Sequence, residues 1–412
     1  MLIQFRFENF KSFRDDTILD FSATEEENHA DHVIIVGKEK LLSAAAIFGA
    51  NASGKTNVIE AFLFMVKYVI NSFAYGGDGE RKETDQPVYT PFLMDSVSRE
   101  AESSFEVFFT GNGEDDGTTY NYGFTLNRGG IVEEWLNVKE TRNRKVLLRQ
   151  KDSLELTGIP AKQKENVRLS LEKETLAVSL GAKLRIEIFK TVRDWFYNWV
   201  FADFGDPKEN MALATMVPAG FSKDSEVRKR VVTYLSSFDP SIIDFQVEVL
   251  SEDDNMSQIK IDAVHRKNDG GTVNIPLNQE SSGTLKMFAL YPGLETVMKT
   301  GGVFFVDELN SRLHPLLARS FLLTFLNPEI NVNHAQIVFT THDAWQLSNR
   351  LLRRDEIWFT EKGEDGASTL YSLADFEEKP ENFGKETYEE NYLLGKYGAI
   401  PTMKYLDVLG GE

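Results

Sequence analysis

Residues 49–56 of the chain read Gly-Ala-Asn-Ala-Ser-Gly-Lys-Thr, and this segment restricts the fold more than any other. It fits the pattern G-x-x-x-x-G-K-[ST], in which a glycine-rich turn joins a buried strand to a helix. The apolar run 41–48 predicts the strand, and residues 57–69 predict the helix. Such a turn directs backbone N–H groups and the positive helix end at phosphate oxygens. The sequence therefore predicts a nucleotide site in an α/β fold.

The side chains of this loop have separate predicted roles. Lys55 is expected to reach the β- and γ-phosphates, and the hydroxyl of Thr56 is expected to take a place on Mg²⁺. Lys55 therefore counts as both a binding and a catalytic residue. The predicted nucleotide-binding residues of the segment are Gly49, Asn51, Ser53, Gly54, Lys55, Thr56 and Asn57.

Two later apolar runs end in polar side chains. Residues 303–306 lead into Asp307 and Glu308, and residues 336–340 are followed closely by His342. Strands that end in polar groups place them at the carboxyl edge of a sheet, where α/β folds bind ligands. A Mg²⁺-nucleotide site needs a carboxylate for the metal and a base for the attacking water. We assign these roles to Asp307 and Glu308 and expect His342 to touch the γ-phosphate or the water. Taken alone, an acidic turn and a structural histidine would explain the same residues.

A second helix start also favours an anion. Residues 281–299 predict a helix that begins with Ser-Ser-Gly-Thr and is closed by Gly301 and Gly302. Ser282 and Gly283 put small side chains and free N–H groups at its first turn. Because this helix precedes the Asp307 strand, it cannot be the phosphate loop of the same site. We expect it to act on the nucleotide of a second copy.

The chain divides into three predicted parts, residues 1–150, 151–240 and 241–412. The first part begins with a strand that has Ile3, Phe5 and Phe7 on one face. An antiparallel β-subdomain follows, predicted from the runs 105–110, 120–126 and 131–139. The third part contains short strands over 242–277, the second helix start and the two carboxylate- and histidine-bearing runs.

The second part is predicted as an inserted helical lobe. Its apolar residues have helical spacing, and they include Leu184, Ile188, Val192, Trp195 and Trp199. The aromatic segment from Trp195 to Trp199 could form a partner surface, but burial in the core of the lobe itself is the favoured interpretation.

Composition narrows the class of protein. The chain has 64 acidic and 45 basic residues, a net charge of −19 and no cysteine. The acidity argues against charge-driven wrapping of nucleic acid, and the lack of thiols excludes disulfides and thiolate metal clusters. Without a long apolar run or a signal-peptide layout, we predict a cytoplasmic protein with no membrane partner. Three basic clusters remain candidates for a local basic surface, although solvated faces are the favoured interpretation: Arg142–Arg149, Arg228–Arg230 and Arg350–Arg354.

Over most of its length the chain resembles the ABC-type ATPases, and within them the overcoming-lysogenization-defect and abortive-infection (AbiL, RloA-like) group. The matching segments are Phe7–Phe13, the loop Gly49–Asn57, Ser282–Thr284 as the signature, Val306–Glu308 as Walker B, Thr341–His342 as the switch, and Asn391–Pro401 near the end. Ser-Ser-Gly-Thr departs from the longer glycine-rich signature of transporters. The group's glutamine lid has one weak candidate here, Gln86, as a further ligand of the metal.

The resemblance implies an ATPase head that dimerises, or assembles further, head to tail around ATP and Mg²⁺. Ser282 and Gly283 of one copy would close on the γ-phosphate held by the other. Overcoming-lysogenization-defect proteins usually add a nuclease domain. Since about 70 residues follow His342, we expect any nuclease or toxic activity to reside in a separate effector protein.

Three functions remain open at this point. The first is an ATP-hydrolysing switch of a bacterial antiphage defence system that controls the separate effector. The second is a repair-type ABC ATPase that binds DNA directly, which the net acidity disfavours. The third is a scaffold whose nucleotide is structural and is never turned over.

Overall fold

The computed structural model describes residues 1–75, 87–111, 117–151, 153–206, 217–253, 256–311, 313–377 and 387–401. The strands β1 to β18 are Leu2–Glu8, Thr17–Asp20, Val33–Val36, Glu39–Leu42, Ala44–Gly49, Ser103–Thr110, Thr119–Asn127, Gly130–Lys139, Asn143–Gln150, Ser153–Leu156, Trp199–Asp203, Ile242–Asp253, Met256–Arg266, Thr272–Pro276, Val303–Asp307, Gln336–Thr340, Ile357–Lys362 and Ser368–Ser372. The helices α1 to α9 are Lys55–Asn71, Ser96–Glu100, Ala161–Ser170, Ala177–Lys183, Glu187–Trp195, Ser225–Ser236, Ser282–Thr300, Pro315–Leu326 and Tyr388–Leu393.

A six-stranded sheet with the order β11-β15-β16-β5-β17-β18 forms the centre of the molecule. Its first five strands are parallel, and β18 pairs antiparallel at the edge. The strand before the phosphate loop, β5, lies between β16 and β17, and the Asp307 strand, β15, lies next to β16. The predicted α/β fold is confirmed. The apolar run 41–48 is divided between β4 and β5 rather than forming one strand.

Both faces of the central sheet are covered, as the continuous apolar strand sequences predict. Along β15 the side chains alternate, so that Phe305 joins one core and Phe304 and Val306 join the other. The first core is completed by α1, whose Phe62 stacks on Phe305 with 4.5 Å between ring centroids. The second is completed by α7 and α8. The sheet therefore lies between two layers of packed side chains.

A seven-stranded antiparallel sheet, β10-β9-β8-β7-β6-β1-β2, covers α1 from the other side. It contains the three strands predicted for the β-subdomain, each within three residues of the predicted bounds. Phe5 and Phe7 of β1 are buried as predicted, whereas Ile3 is only half-buried. A register shift between Leu2 and Gln4 in the β1–β6 pair interrupts, at that point, the alternation of side chains between the two faces of the sheet.

The lobe between β10 and β11 contains the predicted helices, but the prediction that the helical segment extends to Trp199 is wrong. The last helix, α5, ends at Trp195, and Trp199 begins strand β11 of the central sheet. The expected burial of Trp195 in the core of the lobe itself is also only partly correct. Its ring stacks on Phe109 of the antiparallel sheet, 4.3 Å away, and contacts Phe62 of α1 edge-on. The boundaries at residues 150 and 240 stay predictions.

Residues between β11 and α7 carry a separate three-stranded antiparallel sheet, β12-β13-β14, and helix α6. The predicted strands over 242–277 are thus confirmed, although β12 and β13 are long rather than short. Helix α7 begins where the sequence predicts, with the Ser281 side chain accepting a hydrogen bond from Thr284 N–H at 3.1 Å. It ends at Thr300, and the C-cap residue Gly301 has a left-handed φ of 67°, as glycine readily adopts.

Two of the basic clusters are partly internal. Arg353 is fully buried and pairs with Asp355, with 2.8 Å between Nη2 and Oδ2. Arg149 is buried as well and donates to the carbonyl of Thr175 at 2.6 Å. For these two arginines, both the basic-surface interpretation and the solvated-face interpretation are wrong. In the third cluster, Arg230 pairs with Glu295 on helix α7 at 3.1 Å.

Among the described residues, one helical segment, Lys55–Ala74, is long and apolar enough to cross a membrane. Its most apolar stretch is 61% buried inside the protein. The cytoplasmic location stays a prediction.

Candidate functional site

The phosphate loop lies at the carboxyl edge of the central sheet and ends in helix α1. Gly49 has a φ of 155° and Gly54 a φ of 114°, so both occupy conformations that other residues adopt with strain. A Cβ on Gly49 would stand 2.5 Å from the carbonyl oxygen of Thr360, and one on Gly54 would stand 2.7 Å from Ser368 Oγ. Glycine is required at both positions because neighbouring strands approach the loop so closely.

Lys55 is held inside the curve of the loop. Its Nζ donates to the carbonyl oxygens of Gly49 and Ala50, at 2.9 and 3.0 Å. Burial lowers the pKa of this ammonium group, and the carboxylates of Asp307 and Glu308 oppose that shift. A triphosphate in the loop would add negative charge beside Lys55 and stabilise its charged form. The lysine therefore stands where the sequence predicts a phosphate contact.

Thr56 and Asp307 meet across the site. The Thr56 hydroxyl donates to Asp307 Oδ2 at 2.7 Å, and the hydroxyl of Thr340 donates to the other carboxylate oxygen. Asp307 is 3% exposed. A hydroxyl and a carboxylate are hard oxygen ligands of the kind that Mg²⁺ takes from protein, and a buried carboxylate favours a nearby cation. The two predicted metal ligands therefore fit Mg²⁺.

Glu308 follows Asp307 in an unusual backbone conformation. Its φ of 53° is left-handed, and its N–H donates to the Thr340 hydroxyl at 2.9 Å. A left-handed backbone is unfavourable for a residue other than glycine, so contacts with the surrounding structure must stabilise it. Residues in such conformations cluster at functional sites. The turn directs the Glu308 carboxyl group past Gly205, where a Cβ would come within 3.0 Å of it.

A third carboxylate, which the sequence interpretation missed, stands beside these two. Asp203 ends strand β11 and lies in register with Asp307. Its Oδ1 accepts from the N–H groups of Gly205 and Asp206, at 2.7 and 3.0 Å. Burial raises the pKa of Asp203, and repulsion from Asp307 and Asp206 adds to that shift. The sequence does contain a signal for Asp203, because Val-Phe-Ala-Asp at 200–203 has the same pattern, three apolar residues and an aspartate, as Phe-Phe-Val-Asp at 304–307.

His342 lies at the same edge, one strand further along. Its Nε2 is 3.3 Å from Asn310 Nδ2, and Asn310 Oδ1 accepts from the Thr341 hydroxyl at 2.8 Å. The side chain of His342 is exposed. Asn310 therefore links the turn after Glu308 to the histidine, and it was not predicted.

Several hydroxyl groups brace the loop from behind. Ser53 Oγ is 2.6 Å from Thr360 Oγ1, so this predicted binding residue contacts strand β17. Asn57 Nδ2 donates to Ser12 Oγ at 2.7 Å, and the Ser368 hydroxyl donates to the same oxygen at 2.8 Å. The side chain of Asn57 is thus used to position α1 against the segment Phe7–Phe13. Asn51 is exposed.

Ser282 and Gly283 stand at the start of α7. Ser282 is exposed, and within the described residues no hydrogen bond joins either residue to the phosphate loop. A cavity of about 160 Å³ beside them is lined by residues of α6 and α8, including Leu235 and Leu317. Within one chain these residues do not complete the Lys55 site. Gln86, the candidate for the glutamine lid, lies outside the described residues.

Three comparisons with known proteins bear on this site. The model of the family AAA_21, described as "AAA domain, putative AbiEii toxin, Type IV TA system", matches residues 44–344. No curated protein matches the chain. Among solved structures, cbiO1 from Clostridium perfringens, part of the ABC transporter complex cbiONQ, is similar over 96% of each chain, with 11% identity and a TM-score of 0.32. The family match spans the phosphate loop, the signature position, both strand-end carboxylates and His342.

Proposed function

The chain belongs to the AAA_21 family of AAA domains (putative AbiEii toxin, Type IV TA system), and we propose that it works as an ATP-hydrolysing molecular switch. Members of P-loop ATPase families typically bind ATP with Mg²⁺. In this chain the loop would hold the phosphates, with Lys55 on the β- and γ-phosphates. Thr56 and Asp307 would hold the Mg²⁺, which neutralises the charge that develops on the phosphate oxygens.

One observation carries the proposal, namely the 2.7 Å hydrogen bond from Thr56 to Asp307. It joins the end of the phosphate loop to the end of strand β15, residues that are 251 positions apart in the sequence. A P-loop ATPase uses this hydroxyl and this carboxylate together on one metal ion. The left-handed backbone of Glu308, next to Asp307, supports its proposed role as the base that orients the attacking water, because strained residues cluster at functional sites.

ATP turnover by three variants tests the proposal. Lys55→Ala is expected to abolish nucleotide binding or turnover, because the phosphates lose their only lysine contact in the loop. Glu308→Gln is expected to bind ATP but to release phosphate at a small fraction of the wild-type rate. Glu329→Gln is the matched control, since Glu329 is exposed and lies after α8, away from the site. ATP hydrolysis by Glu308→Gln at the wild-type rate would show that Glu308 is not the base. An absence of ATP turnover by the wild-type protein would favour a scaffold with a structural nucleotide.

We place this switch in a bacterial antiphage, abortive-infection defence system, with a separate nuclease or toxin as its effector. The family description, which names a putative toxin of a toxin–antitoxin system, supports that context. ATP would close a dimer or higher oligomer, and hydrolysis would reopen it. The helices α3 to α5 pack on the antiparallel sheet and reach α1 through Trp195, so they are the proposed route from the nucleotide to the effector.

Two observations bear on the proposed dimer and on direct DNA binding. Ser282 is exposed at the start of α7, as a residue that caps the nucleotide of a neighbouring copy must be. Against DNA as the ligand, Arg149 and Arg353 are used inside the protein rather than on its surface. Co-purification of the protein with the product of an adjacent reading frame would identify the effector, and retention of DNA at low salt would favour the repair-type function instead.

A further inference from the structure

A second cluster of metal-binding side chain types lies at the opposite edge of the central sheet. Strand β17 pairs with β5 so that Thr360 is next to Gly49 at the nucleotide edge, whereas Ile357 starts the strand at the other end. Glu356, immediately before β17, contacts His32 there. His29 and Asp31 are close by. None of these residues has a part in the nucleotide site.

The loop 24–32, which carries the two histidines, is hydrogen-bonded to the segment that precedes β17. Arg353, fully buried, donates through Nη1 to the carbonyl oxygens of Glu26 and Asn28, at 3.0 and 2.8 Å. Its partner Asp355 accepts from the backbone N–H and the hydroxyl of Thr24, at 2.8 and 2.7 Å. A buried arginine that donates to two carbonyl groups of one loop fixes the path of that loop. The side chains that follow are therefore presented in a defined arrangement.

His29, Asp31 and His32 converge at the end of this loop. Each offers one ligand atom, and the three atoms lie within 4.8 Å of one another. The two imidazole rings are stacked, with 4.8 Å between centroids. His29 has a φ of 50°, a left-handed conformation that the surrounding loop must impose. Convergence of these three side chain types is the first requirement of a metal site.

Each of the two rings makes its hydrogen bond through one nitrogen, and within the described residues the second nitrogen, Nδ1 of His29 and Nε2 of His32, has no hydrogen bond. His29 Nε2 donates to the carbonyl oxygen of Asn349 at 2.9 Å. His32 Nδ1 lies 3.1 Å from both carboxylate oxygens of Glu356, which is fully buried. A neutral imidazole that donates from one nitrogen has a lone pair on the other. Metal-binding histidines have this arrangement, in which a backbone carbonyl or a carboxylate fixes the ring behind the metal.

We propose that His29 Nδ1, His32 Nε2 and the Asp31 carboxylate bind a divalent transition-metal ion, with Zn²⁺ the best fit. Two imidazoles and one carboxylate suit Zn²⁺, whereas Mg²⁺ and Ca²⁺ prefer oxygen ligands alone. Ligand bonds of about 2.0–2.2 Å bring the three donor atoms closer together than they stand here. Asp31 is exposed and His29 is half-buried, so these two side chains can move to the ion. The metal would cross-link His29, Asp31 and His32 at the end of the loop, and the contact of His32 with Glu356 already joins this loop to the start of β17.

Zn²⁺ titration of the full chain by calorimetry, with excess Mg²⁺ and no nucleotide, tests this site. Wild type is expected to bind one equivalent that His29→Asn weakens at least tenfold. His334→Asn is the matched control, because His334 also has a left-handed φ, of 59°, and is exposed elsewhere. Asparagine tolerates that conformation, so neither variant is expected to unfold. Zn²⁺ taken by the nucleotide site would be the same in both and cancels in the comparison.

Two further measurements distinguish a loss of Zn²⁺ binding from a loss of folding. Asp31→Asn, an exposed change, is expected to weaken Zn²⁺ binding while the melting temperature without metal stays at the wild-type value. Added Zn²⁺ is expected to raise the melting temperature of wild type and His334→Asn but not of His29→Asn. Equal Zn²⁺ affinity in His29→Asn and His334→Asn, or no Zn²⁺ bound by wild type beyond what the nucleotide site takes, would overturn the proposal. Neither readout depends on ATP turnover.

Discussion

The Asp307 carboxylate has almost no contact with solvent, and both of its oxygens accept hydrogen bonds from threonine hydroxyls. One of these residues, Thr56, belongs to the phosphate loop. The other, Thr340, ends strand β16 and also accepts the N–H of Glu308 at 2.9 Å. The side chain of Thr340 therefore orients both Asp307, the proposed metal ligand, and Glu308, the proposed base.

We predict that Thr340→Val slows ATP turnover by about tenfold or more, since a hydrogen bond to a charged group contributes about 1.5–3 kcal/mol. The change is nearly isosteric, but it removes the hydroxyl from Asp307 and from Glu308. Steady-state phosphate release at several Mg²⁺ concentrations measures the effect, and a higher Mg²⁺ requirement is expected too. Thr324→Val on α8, whose hydroxyl bonds only within its helix, is the control. Wild-type turnover and Mg²⁺ dependence in Thr340→Val would be incompatible with this role.

For single residues, the sequence predicts those that belong to fixed motifs, but it does not predict the residues that hydrogen-bond to them. Lys55, Thr56, Asp307 and Glu308 belong to motifs whose spacing along the chain reflects their chemistry. Thr340 and Ser12 could not be predicted, because a hydroxyl group has no function until the fold brings an acceptor to it. The burial of Arg353 could not be predicted either, since it depends on carbonyl groups that are more than 320 residues away in the sequence.

Among the elements, the segment Phe7–Phe13 has a clear physical task. Its Ser12 Oγ accepts hydrogen bonds from Asn57 on α1 and from Ser368 on β18. Its Asn9 is buried, with a left-handed φ of 53°, and donates to the carbonyl of Ser98 at 2.8 Å. The segment therefore ties the phosphate-loop helix to both sheets.

Ser12→Ala is expected to destabilise the protein by about 1–2 kcal/mol, because two hydrogen bonds of ordinary strength are lost. Nucleotide affinity is expected to fall slightly as well, since Asn57 directly follows Thr56. A urea unfolding midpoint and a nucleotide titration measure the two effects. Ser170→Ala, at the exposed end of α3, provides the comparison. If the two alanine variants unfold at the same urea concentration, the brace contributes nothing.

The junction between the helical lobe and the antiparallel sheet depends on Glu134. This fully buried carboxylate accepts from the N–H groups of Ala177 and Val178 at the start of α4, at 2.6 and 3.0 Å. It also accepts from the Tyr122 hydroxyl at 3.0 Å. Burial raises the pKa of Glu134, while Arg149 and these hydrogen bonds oppose the shift. The carboxylate thus caps a helix inside the protein.

Glu134→Ala is expected to cost about 3–5 kcal/mol, because it leaves three donors in the core without an acceptor. Thermal unfolding followed by circular dichroism measures the loss. The adjacent Glu133→Ala is the matched control, since Glu133 accepts a hydrogen bond from Gln150 at the surface and is not part of the junction. A Glu134→Ala melting temperature equal to that of Glu133→Ala would mean that solvent reaches the junction.

Strand β11 is one of the elements that the sequence interpretation missed. Trp199 follows a helix at helical spacing, and periodicity alone cannot separate a short buried strand from the continuation of a helix. The structure resolves this because the five residues Trp199–Asp203 pair in parallel with Val303–Asp307. Only the tertiary fold brings β15 alongside, whereas the longer α1 and α7 were predicted nearly to their ends from local signals.

At the scale of the whole molecule, we propose that the nucleotide site is shared between two copies of the chain. One chain supplies the phosphate loop, Asp307 and Glu308 at one sheet edge. Ser282 stands exposed on α7 and makes no hydrogen bond to that loop within the described residues. A head-to-tail dimer with twofold symmetry would bring each Ser282 onto the nucleotide of the partner and form two equivalent sites.

Mixing two inactive variants tests this claim most directly. Lys55→Ala lacks the phosphate contact, and Ser282→Arg blocks the cap, so each homodimer has two defective sites. A mixed dimer places both defects in one site and leaves the other intact. Half of the dimers in an equal mixture are mixed, so turnover is expected to return to as much as about a quarter of the wild-type rate. A mixture that stays as inactive as its two components would contradict the shared site.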